Sequence, residues 1–215
     1  MDDTPHTADD RVPPGQYVTD KWPVLSYGPT PEVDLSRWRL RIFGSVATDR
    51  ALSWEDLQAL ERTDLIADFH CVTRFSTLDN PWSGFATRRI LELADVAPES
   101  IHVMIHCADG YTTNLPLEDL LSERALVADR HAGEPLAADH GGPLRLIVPH
   151  LYAWKSAKWV SGIEILESDR RGFWEQAGYH TYGDPWTEQR FSSQEFTAAH
   201  QVRRRAKELG LKLTS

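Results

Sequence analysis

Cysteine and long apolar runs are the scarcest features of this 215-residue chain, which contains only Cys71 and Cys107. Two cysteines argue against a disulfide framework and agree with a reducing compartment. No run approaches the roughly 18 apolar residues of a membrane-spanning helix. The first residues have neither the basic nor the apolar part of an export signal. We therefore expect a cytoplasmic protein without a membrane partner.

An excess of basic residues is also missing. The chain has 23 Lys and Arg against 32 Asp and Glu, a net charge of −9, so no global basic field favours nucleic acid. A hydrophobic content of 41% with eight tryptophans indicates one compact domain. We predict a weakly ordered segment at 1–16, the main domain at 17–190, and a C-terminal amphipathic helix at 191–215 packed on that domain.

Two common kinds of active site lack their motifs. The sequence has no CxxC or HExxH motif, so a zinc site is unsupported. It has no GxSxG elbow, so a Ser/His/Asp hydrolase is unsupported as well.

The segment around Cys71 is the most distinctive one that is present. The apolar run 64–67 predicts a buried strand leading to it, and the sequence 81–84, Pro-Trp-Ser-Gly, predicts a loop after it. His70 and Arg74 flank the thiol, and cations favour a thiolate, which is both a nucleophile and a metal ligand. A buried structural thiol explains one cysteine equally well, and Cys107, on the apolar face of its own strand, fits that interpretation better.

A second cluster combines cations, a hydroxyl and glycine turns in a short β region. Fixed cations and backbone N–H groups at glycines are what a phosphate requires, although each lysine could instead lie on the surface with its stem on tryptophan. In an acidic protein this concentration predicts a pocket for a phosphorylated, anionic cofactor. The residues concerned are His140, Arg145, Lys155, Ser156 and Lys158.

Strands outnumber helices without regular βα alternation, so the predicted class is α+β with a mixed sheet. The aromatic segment 17–28 has no helical period and is expected to pack on the core or on a ligand. Predicted strands cover 38–44, 101–107, 125–129, 144–149 and 162–166, and predicted helices cover 53–61, 85–93, 117–121 and 192–210.

Several ordered blocks together resemble the sulfite oxidase-like molybdopterin oxidoreductases, most closely their small, stand-alone, cytoplasmic bacterial members. The resemblance implies the sulfite oxidase molybdopterin-domain fold, with a barrel-like core and peripheral helices. The blocks that carry it are 16–28, 70–76, 108–120, 140–145, 152–159, and 172–186 with its Gly-Phe-Trp-Glu, Gly-Tyr-His and Gly-Asp-Pro-Trp motifs.

The resemblance implies a molybdenum–molybdopterin cofactor in its plain form, with Cys71 as the metal ligand. It places Tyr179 as a catalytic donor to the substrate and Arg74, with Lys21, as cations that favour polar or anionic substrates. The implied cofactor contacts are Thr19, Asp20, Lys21, Cys71, Cys107, Asp109, His140, Arg145, Lys155, Ser156 and Lys158.

The chain departs from sulfite oxidases at Thr19, where they have an arginine, and at Gly178, where they have an acid. We also expect it to lack their haem and dimerisation domains. The leading hypothesis is therefore a monomeric enzyme that moves an oxygen atom, or two electrons, between molybdenum and a small S- or N-oxide or related polar substrate. It would use an unidentified electron-transfer partner. The alternatives are a non-catalytic cofactor carrier and a metal-free redox-sensing thiol protein.

Overall fold

The computed structural model describes residues 8–195, which form two β-sheets with short helices at their edges. The first sheet contains β1 (Tyr17–Val18), β4 (Thr63–His70), β5 (Phe75–Ala86), β8 (Leu126–His131), β9 (Glu134–Pro135) and β10 (Arg145–Ile147). The second contains β2 (Leu40–Gly44), β3 (Arg50–Leu52), β6 (His102–Cys107), β7 (Thr112–Pro116) and β11 (Val160–Leu166). The helices are α1 (Trp54–Gln58), α2 (Thr87–Leu91), α3 (Leu117–Leu121) and α4 (Phe173–Gln176), with 3₁₀ turns at Ala8–Arg11 and Ala138–His140.

The predicted α+β class with a mixed sheet is confirmed. β1 pairs with β5, and β11 with β2, in parallel, whereas the other named pairs are antiparallel. The second sheet has the open order β3-β2-β11-β6-β7, and the first follows β1-β5-β8-β10 with β4 and β9 as branches. In the described part of the chain the core is therefore built on two open sheets, and the closed, barrel-like arrangement is not formed.

The alternating pattern of β6 is confirmed and explains the main core. Val103 and Ile105 are fully buried on one face and pack with Ile163 of the neighbouring β11. Burial of a Val or Ile side chain contributes about 1.5–3 kcal/mol. This sheet face therefore supplies the rigid base against which the helices pack.

Helix α1, which the sequence predicts to start at Ser53, begins at a capping box. The Ser53 Oγ accepts from the Asp56 N–H at 3.1 Å, and an Asp56 carboxylate oxygen accepts from the Ser53 N–H at 2.9 Å. Such a cap contributes about 1 kcal/mol. The helix ends at Gln58, which is shorter than the predicted span to Glu61.

The loop predicted at 81–84 is wrong, because these residues lie inside β5. Trp82 is buried, and Gly84 lets the backbone of β8 approach so closely that a Cβ there would lie 2.0 Å from the Val127 carbonyl oxygen. Glycine thus marks close strand packing instead of a turn. Because β5 continues to Ala86, the helix that was predicted from residue 85 begins only at Thr87.

The strand before Cys71 forms as predicted, but only its second half is buried. In β4, Ile66 is 67% exposed, whereas Ala67, Phe69 and His70 are buried. Exposure at the start and burial at the end direct the chain from the surface into the protein interior just before Cys71.

The N-terminal segment makes contacts with the first sheet where it is described. The Arg11 Nε donates to the Asp68 carboxylate at 3.0 Å, and its Nη1 donates to Asp79 at 3.3 Å. At the other end of the chain, the predicted helix 192–210 lies largely outside the described residues. Within the described part, residues 193–195 are helical. None of the helices within residues 8–195 has the length and apolarity needed to cross a membrane.

Candidate functional site

One cavity of about 250 Å³ connects the Cys71 thiol with the predicted basic cluster. We call it the Cys71 cavity. It lies where the turn after β4, the aromatic segment 22–27, the turn before β10 and the segment 153–159 meet. Seven of the site residues predicted from the sequence line it: Cys71, Asp109, His140, Arg145, Ser156, Lys158 and Tyr179. Aromatic residues form much of the remaining wall, namely Trp22, Tyr27, Phe69, Trp154, Trp159 and Trp174.

A tight turn presents Cys71 to this cavity. The Cys71 N–H donates to the Phe75 carbonyl at 2.8 Å, and the Arg74 N–H donates to the Cys71 carbonyl at 2.9 Å. The Gln16 side chain also donates to the Cys71 carbonyl, at 3.1 Å. The Thr73 hydroxyl donates to the sulfur at 3.2 Å. The thiol is consequently fixed in a preformed loop, as a metal ligand must be.

Electrostatics at Cys71 differ from the sequence prediction. Burial raises the pKa of the Cys71 thiol, while the Thr73 hydroxyl and the positive charges of Arg190 and Arg145 oppose that rise. In the ligand-free protein the thiol form is therefore favoured over the thiolate. A metal ion that displaces the proton would reverse this balance.

The two cations predicted to act on the thiol do not do so. The His70 ring hydrogen-bonds the Ser76 hydroxyl at 2.9 Å, and burial lowers the pKa of His70, which favours its neutral form. Arg74 is exposed, adopts a left-handed backbone conformation with φ of 84°, and does not line the cavity. Sequence proximity to Cys71 was misleading because the turn directs Arg74 outward.

Arg145 is the central group at the basic end. The residue is 4% exposed, and its guanidinium donates to the His140 carbonyl at 2.9 Å and to the Ser156 carbonyl at 3.0 Å. Its Nε has no hydrogen-bond partner among the described residues, although it is buried. Burial lowers the pKa of Arg145, yet an arginine remains charged at neutral pH. A buried cation on a cavity wall provides a site for an anion.

Two further side chains enlarge this basic end. The Lys158 Nζ donates to the Ser26 hydroxyl at 2.7 Å and to the Asp139 carbonyl at 2.8 Å. Burial, reinforced by the charge of Arg145, lowers the pKa of Lys158 to about 8. The His140 ring stacks on Trp22 with centroids 3.8 Å apart. An anion that binds here would stabilise the charged form of Lys158.

The glycine turn at Gly141 brings Arg145 and Lys158 together. Gly141 has φ of 108°, a conformation that side chains rarely adopt, and a Cβ there would lie 3.0 Å from Arg145 and from Lys158. Only glycine lets the two cationic stems approach the turn this closely.

The Asp109 turn lines the cavity, but Cys107 does not. An Asp109 carboxylate oxygen accepts from the Tyr111 N–H at 3.0 Å, and its carbonyl accepts from the Tyr27 hydroxyl at 2.7 Å. Cys107 lies in the hydrophobic core, where burial raises the pKa of its thiol well above the usual value. Asp109 therefore lines the cavity, whereas the position of Cys107 agrees with the structural interpretation.

Lys155 is a core residue and does not line the cavity. Its fully buried Nζ lies 2.7 Å from a Glu175 carboxylate oxygen and donates to the Asn114 carbonyl at 2.7 Å and the Thr181 carbonyl at 2.6 Å. Its donors are thus satisfied within the protein. Of the lysines and the serine predicted to hold a phosphate, Lys158 and Ser156 line the cavity, while Lys155 joins the segment 153–159 to α4 through Glu175.

Thr19, Asp20 and Lys21 also lie outside the cavity lining. The Thr19 hydroxyl accepts from the Lys21 N–H at 3.1 Å, and the side chains of Asp20 and Lys21 are exposed. The aromatic part of the same segment contributes instead, which agrees with its predicted packing on a ligand or core. Its lining residues are Trp22, Pro23, Leu25, Ser26 and Tyr27.

Tyr179 lies with Cys71 on the wall of the same cavity. Its ring contacts Trp154 and Trp174 with centroid distances of 5.3 and 5.2 Å. Within residues 8–195 its hydroxyl makes no hydrogen bond, so it is available to a ligand. The aromatic neighbours fix the ring without using its polar atom.

The described residues contain no cluster of three or more His, Cys, Asp or Glu side chains that could hold a metal ion. A metal bound at Cys71 would therefore take its other ligands from a cofactor. The cavity fits such a group, because a soft sulfur donor and an incompletely satisfied buried cation both line it.

Comparison with known proteins agrees with this geometry. The family model described as an oxidoreductase molybdopterin-binding domain matches residues 27–174, more than half of the chain. The chain belongs to the sulfite oxidase-like molybdopterin oxidoreductases. It is therefore a molybdopterin-dependent oxidoreductase, and membership implies a molybdenum–molybdopterin cofactor.

Individual relatives differ in how much of their length the chain covers. It is 49% identical to the uncharacterized oxidoreductase YuiH of Bacillus subtilis over 85% of this chain and 92% of that protein. It is 26% identical to the protein-methionine-sulfoxide reductase catalytic subunit MsrP of Campylobacter jejuni, over 78% of this chain and 61% of MsrP. The mitochondrial sulfite oxidase of Drosophila melanogaster is 27% identical over 73% of this chain and 32% of that enzyme.

A solved structure supports the fold alone. The sulfane dehydrogenase SoxCD from Paracoccus pantotrophus matches with a TM-score of 0.59 and 23% identity, covering 65% of this chain and 40% of that one. This likeness confirms the predicted molybdopterin-domain fold.

Proposed function

We propose that this protein transfers an oxygen atom, or two electrons, between molybdenum and a small S- or N-oxide or related polar substrate, with Cys71 as the protein ligand of the metal. The supporting observation is that the Cys71 thiol and the buried, incompletely satisfied Arg145 guanidinium line the same cavity. When bound, the cofactor would supply a redox-active metal that exchanges an oxygen atom or electrons with the substrate.

The cofactor would be held at both ends of the cavity. The Cys71 sulfur would bind the metal, in a loop that its backbone hydrogen bonds and Gln16 already fix. Arg145, Lys158 and His140 would bind the anionic end through charge-assisted hydrogen bonds, which are roughly twice as strong as neutral ones. The Asp109 turn would contact the pterin between them.

The substrate would approach at the Cys71 end, beside Tyr179. The free Tyr179 hydroxyl would donate a hydrogen bond, or a proton, to the substrate oxygen. Arg74 and Lys21, which were expected to attract anions, do not line the cavity, while Trp154 and Trp174 do. We therefore propose a polar but uncharged substrate, with electrons exchanged through an unidentified partner.

Substitution of the two buried cysteines tests the ligand assignment. The wild type, Cys71→Ser and the matched control Cys107→Ala are expressed in a host that makes the cofactor. Molybdenum is measured by mass spectrometry, and released pterin by fluorescence after oxidative denaturation. We expect molybdenum content or activity to be lost only in Cys71→Ser, with circular dichroism unchanged.

Full molybdenum content and activity in Cys71→Ser would refute the assignment. The oxidised, loaded wild type is also mixed with sulfite, and the chemically reduced protein is mixed with a panel of S-oxides and N-oxides, because an oxide takes its two electrons from the reduced metal. Absorption changes with the uncharged oxides are expected, whereas a loaded protein that responds to none of the panel would support the carrier hypothesis instead.

A further inference from the structure

Arg190 is a buried cation beside Cys71 that sequence reasoning did not identify. Its side chain is 8% exposed, and its Nη1 donates to the carbonyl of Val72, the residue that follows Cys71. Arg190 and Val72 are 118 positions apart in the sequence. A side chain from the C-terminal part of the domain thus fixes the loop that presents the thiol.

The backbone of Arg190 is joined to the segment that contains Tyr179. The Arg190 carbonyl accepts from the His180 N–H at 3.2 Å, and the Ser192 N–H donates to the Gly178 carbonyl at 2.9 Å. Tyr179 pairs with Phe191 in an isolated antiparallel bridge. One residue therefore connects the Cys71 loop, through its side chain, with the Tyr179 segment, through its main chain.

The charge of Arg190 is only partly compensated. Its Nε and Nη2 are buried without a hydrogen-bond partner among the described residues. The nearest carboxylate oxygen, that of Glu188, lies 3.7 Å from Nη2, outside hydrogen-bond distance. The guanidinium lies over the Tyr152 ring, 4.9 Å from its centroid. A cation held this way stabilises negative charge that develops nearby.

We propose that Arg190 is a positioning residue of the molybdenum site: it fixes the Cys71 loop relative to Tyr179, and its positive charge favours the reduced state of the bound metal. The proposal rests on the proposed function of Cys71 and Tyr179. It assigns two separable roles to the Arg190 side chain. The planar guanidinium, whose N–H donors form a fork, fixes the geometry of the loop, and its positive charge acts electrostatically on the metal.

Two substitutions separate these properties in the loaded enzyme. Arg190→Met removes charge and fork, and Arg190→Lys keeps the charge but loses the planar fork. The control is Arg130→Met, because Arg130 is an exposed arginine that also donates to a carbonyl, that of Gly133 at 3.2 Å. The readouts are the midpoint potential of the metal, kcat and KM separately, and the melting temperature.

We expect Arg190→Met to shift the midpoint potential downward and to lower kcat about tenfold, the loss expected for one charge-assisted contact. Arg190→Lys should restore the potential but leave kcat below that of the wild type, while Arg130→Met changes neither. A wild-type potential and kcat in both Arg190 variants, even with lower melting temperatures, would overturn the proposal.

If Arg190→Met does not fold, Arg190→Lys decides: lower kcat at unchanged potential supports the proposal, and wild-type kcat overturns it. The result is also distinguishable from failure of the ligand assignment. Retention of molybdenum and activity in Cys71→Ser would refute the assignment of Cys71 whatever the Arg190 variants do. Loss in Cys71→Ser together with wild-type Arg190 variants would refute only the role of Arg190.

Discussion

The two ends of the Cys71 cavity are built from different side chains. At one end, Arg145 and Lys158 are cations fixed by carbonyl and hydroxyl groups. At the other, Cys71 and Tyr179 line the cavity together with the rings of Trp154 and Trp174, and the Arg190 guanidinium lies over the Tyr152 ring, outside the lining. Under the proposed function, the charged side chains would hold the cofactor and the region around Tyr179 would receive the substrate. This division would let an acidic protein bind an anionic cofactor and still accept a neutral substrate.

The largest expected effect is a loss of folding stability on substitution of Lys155, which would distinguish this core lysine from Lys158 in the cavity. Lys155→Met should destabilise the fold by about 3–5 kcal/mol, because it leaves the Glu175 carboxylate buried and unpaired. The melting temperature should fall by roughly 10 °C, as measured by calorimetry. Lys155→Met combined with Glu175→Gln should recover much of the loss. If Lys155→Met instead lost cofactor at an unchanged melting temperature, Lys155 would belong to the basic end after all.

Removal of the central cation should weaken retention of the cofactor. Arg145→Met eliminates charge-assisted hydrogen bonds of about 1.5–3 kcal/mol, which corresponds to roughly 10–100-fold weaker binding. Molybdenum and pterin per chain, measured after purification from the same host, should fall accordingly. The exposed control Arg130→Met should retain wild-type loading. Equal loading in both variants would contradict the assignment of the basic end.

A smaller effect is expected at the reacting end. Tyr179→Phe keeps the ring between Trp154 and Trp174 but removes the free hydroxyl. Loss of one hydrogen bond of about 1 kcal/mol should lower kcat about fivefold, with cofactor loading unchanged. Steady-state kinetics with a neutral S-oxide measure this, with Tyr182→Phe as a control outside the cavity. An unchanged kcat would remove Tyr179 from the mechanism.

The smallest effect is a pH dependence confined to the basic end. The pKa of Lys158 is lowered to about 8, below its usual 10.5, by burial and by Arg145. In the cofactor-free protein, binding of inorganic phosphate should therefore weaken several-fold as the pH rises through 8.

The same lowered pKa affects folding stability. Between pH 8 and 10.5 the unfolded chain binds more protons at Lys158 than the folded chain does, so the contribution of Lys158 to folding stability rises with pH.

Isothermal titration calorimetry between pH 7 and 9.5 measures the phosphate binding. Lys158→Arg, which stays charged over this range, should show a flatter profile than the wild type. Identical profiles would mean that Lys158 does not contact the anion.

Local patterns and a family resemblance identify much of this molecule from its sequence. The alternation in β6 gives its core face correctly, and the predicted span of α3 is the observed one. The resemblance points to the family and to a site around Cys71. These features depend on periodicity or on short ordered motifs, which are visible in one chain.

The remaining features depend on packing between distant segments. Pro81 and Gly84 have the composition of a turn, but close contact with β8 keeps them in a strand. Lys155 and Lys158 are three residues apart, and only the fold sends one into the core and the other into the cavity. Arg190 reaches the Cys71 loop from 118 residues away, with no local motif to indicate it.

Anomalous diffraction at the molybdenum absorption edge, on crystals of the loaded wild-type protein, would locate the metal relative to Cys71. We predict one strong peak within bonding distance of the Cys71 sulfur, with the anionic end of the cofactor in contact with Arg145. A molybdenum peak elsewhere in a fully loaded crystal, with the Cys71 sulfur unbound, would contradict this prediction.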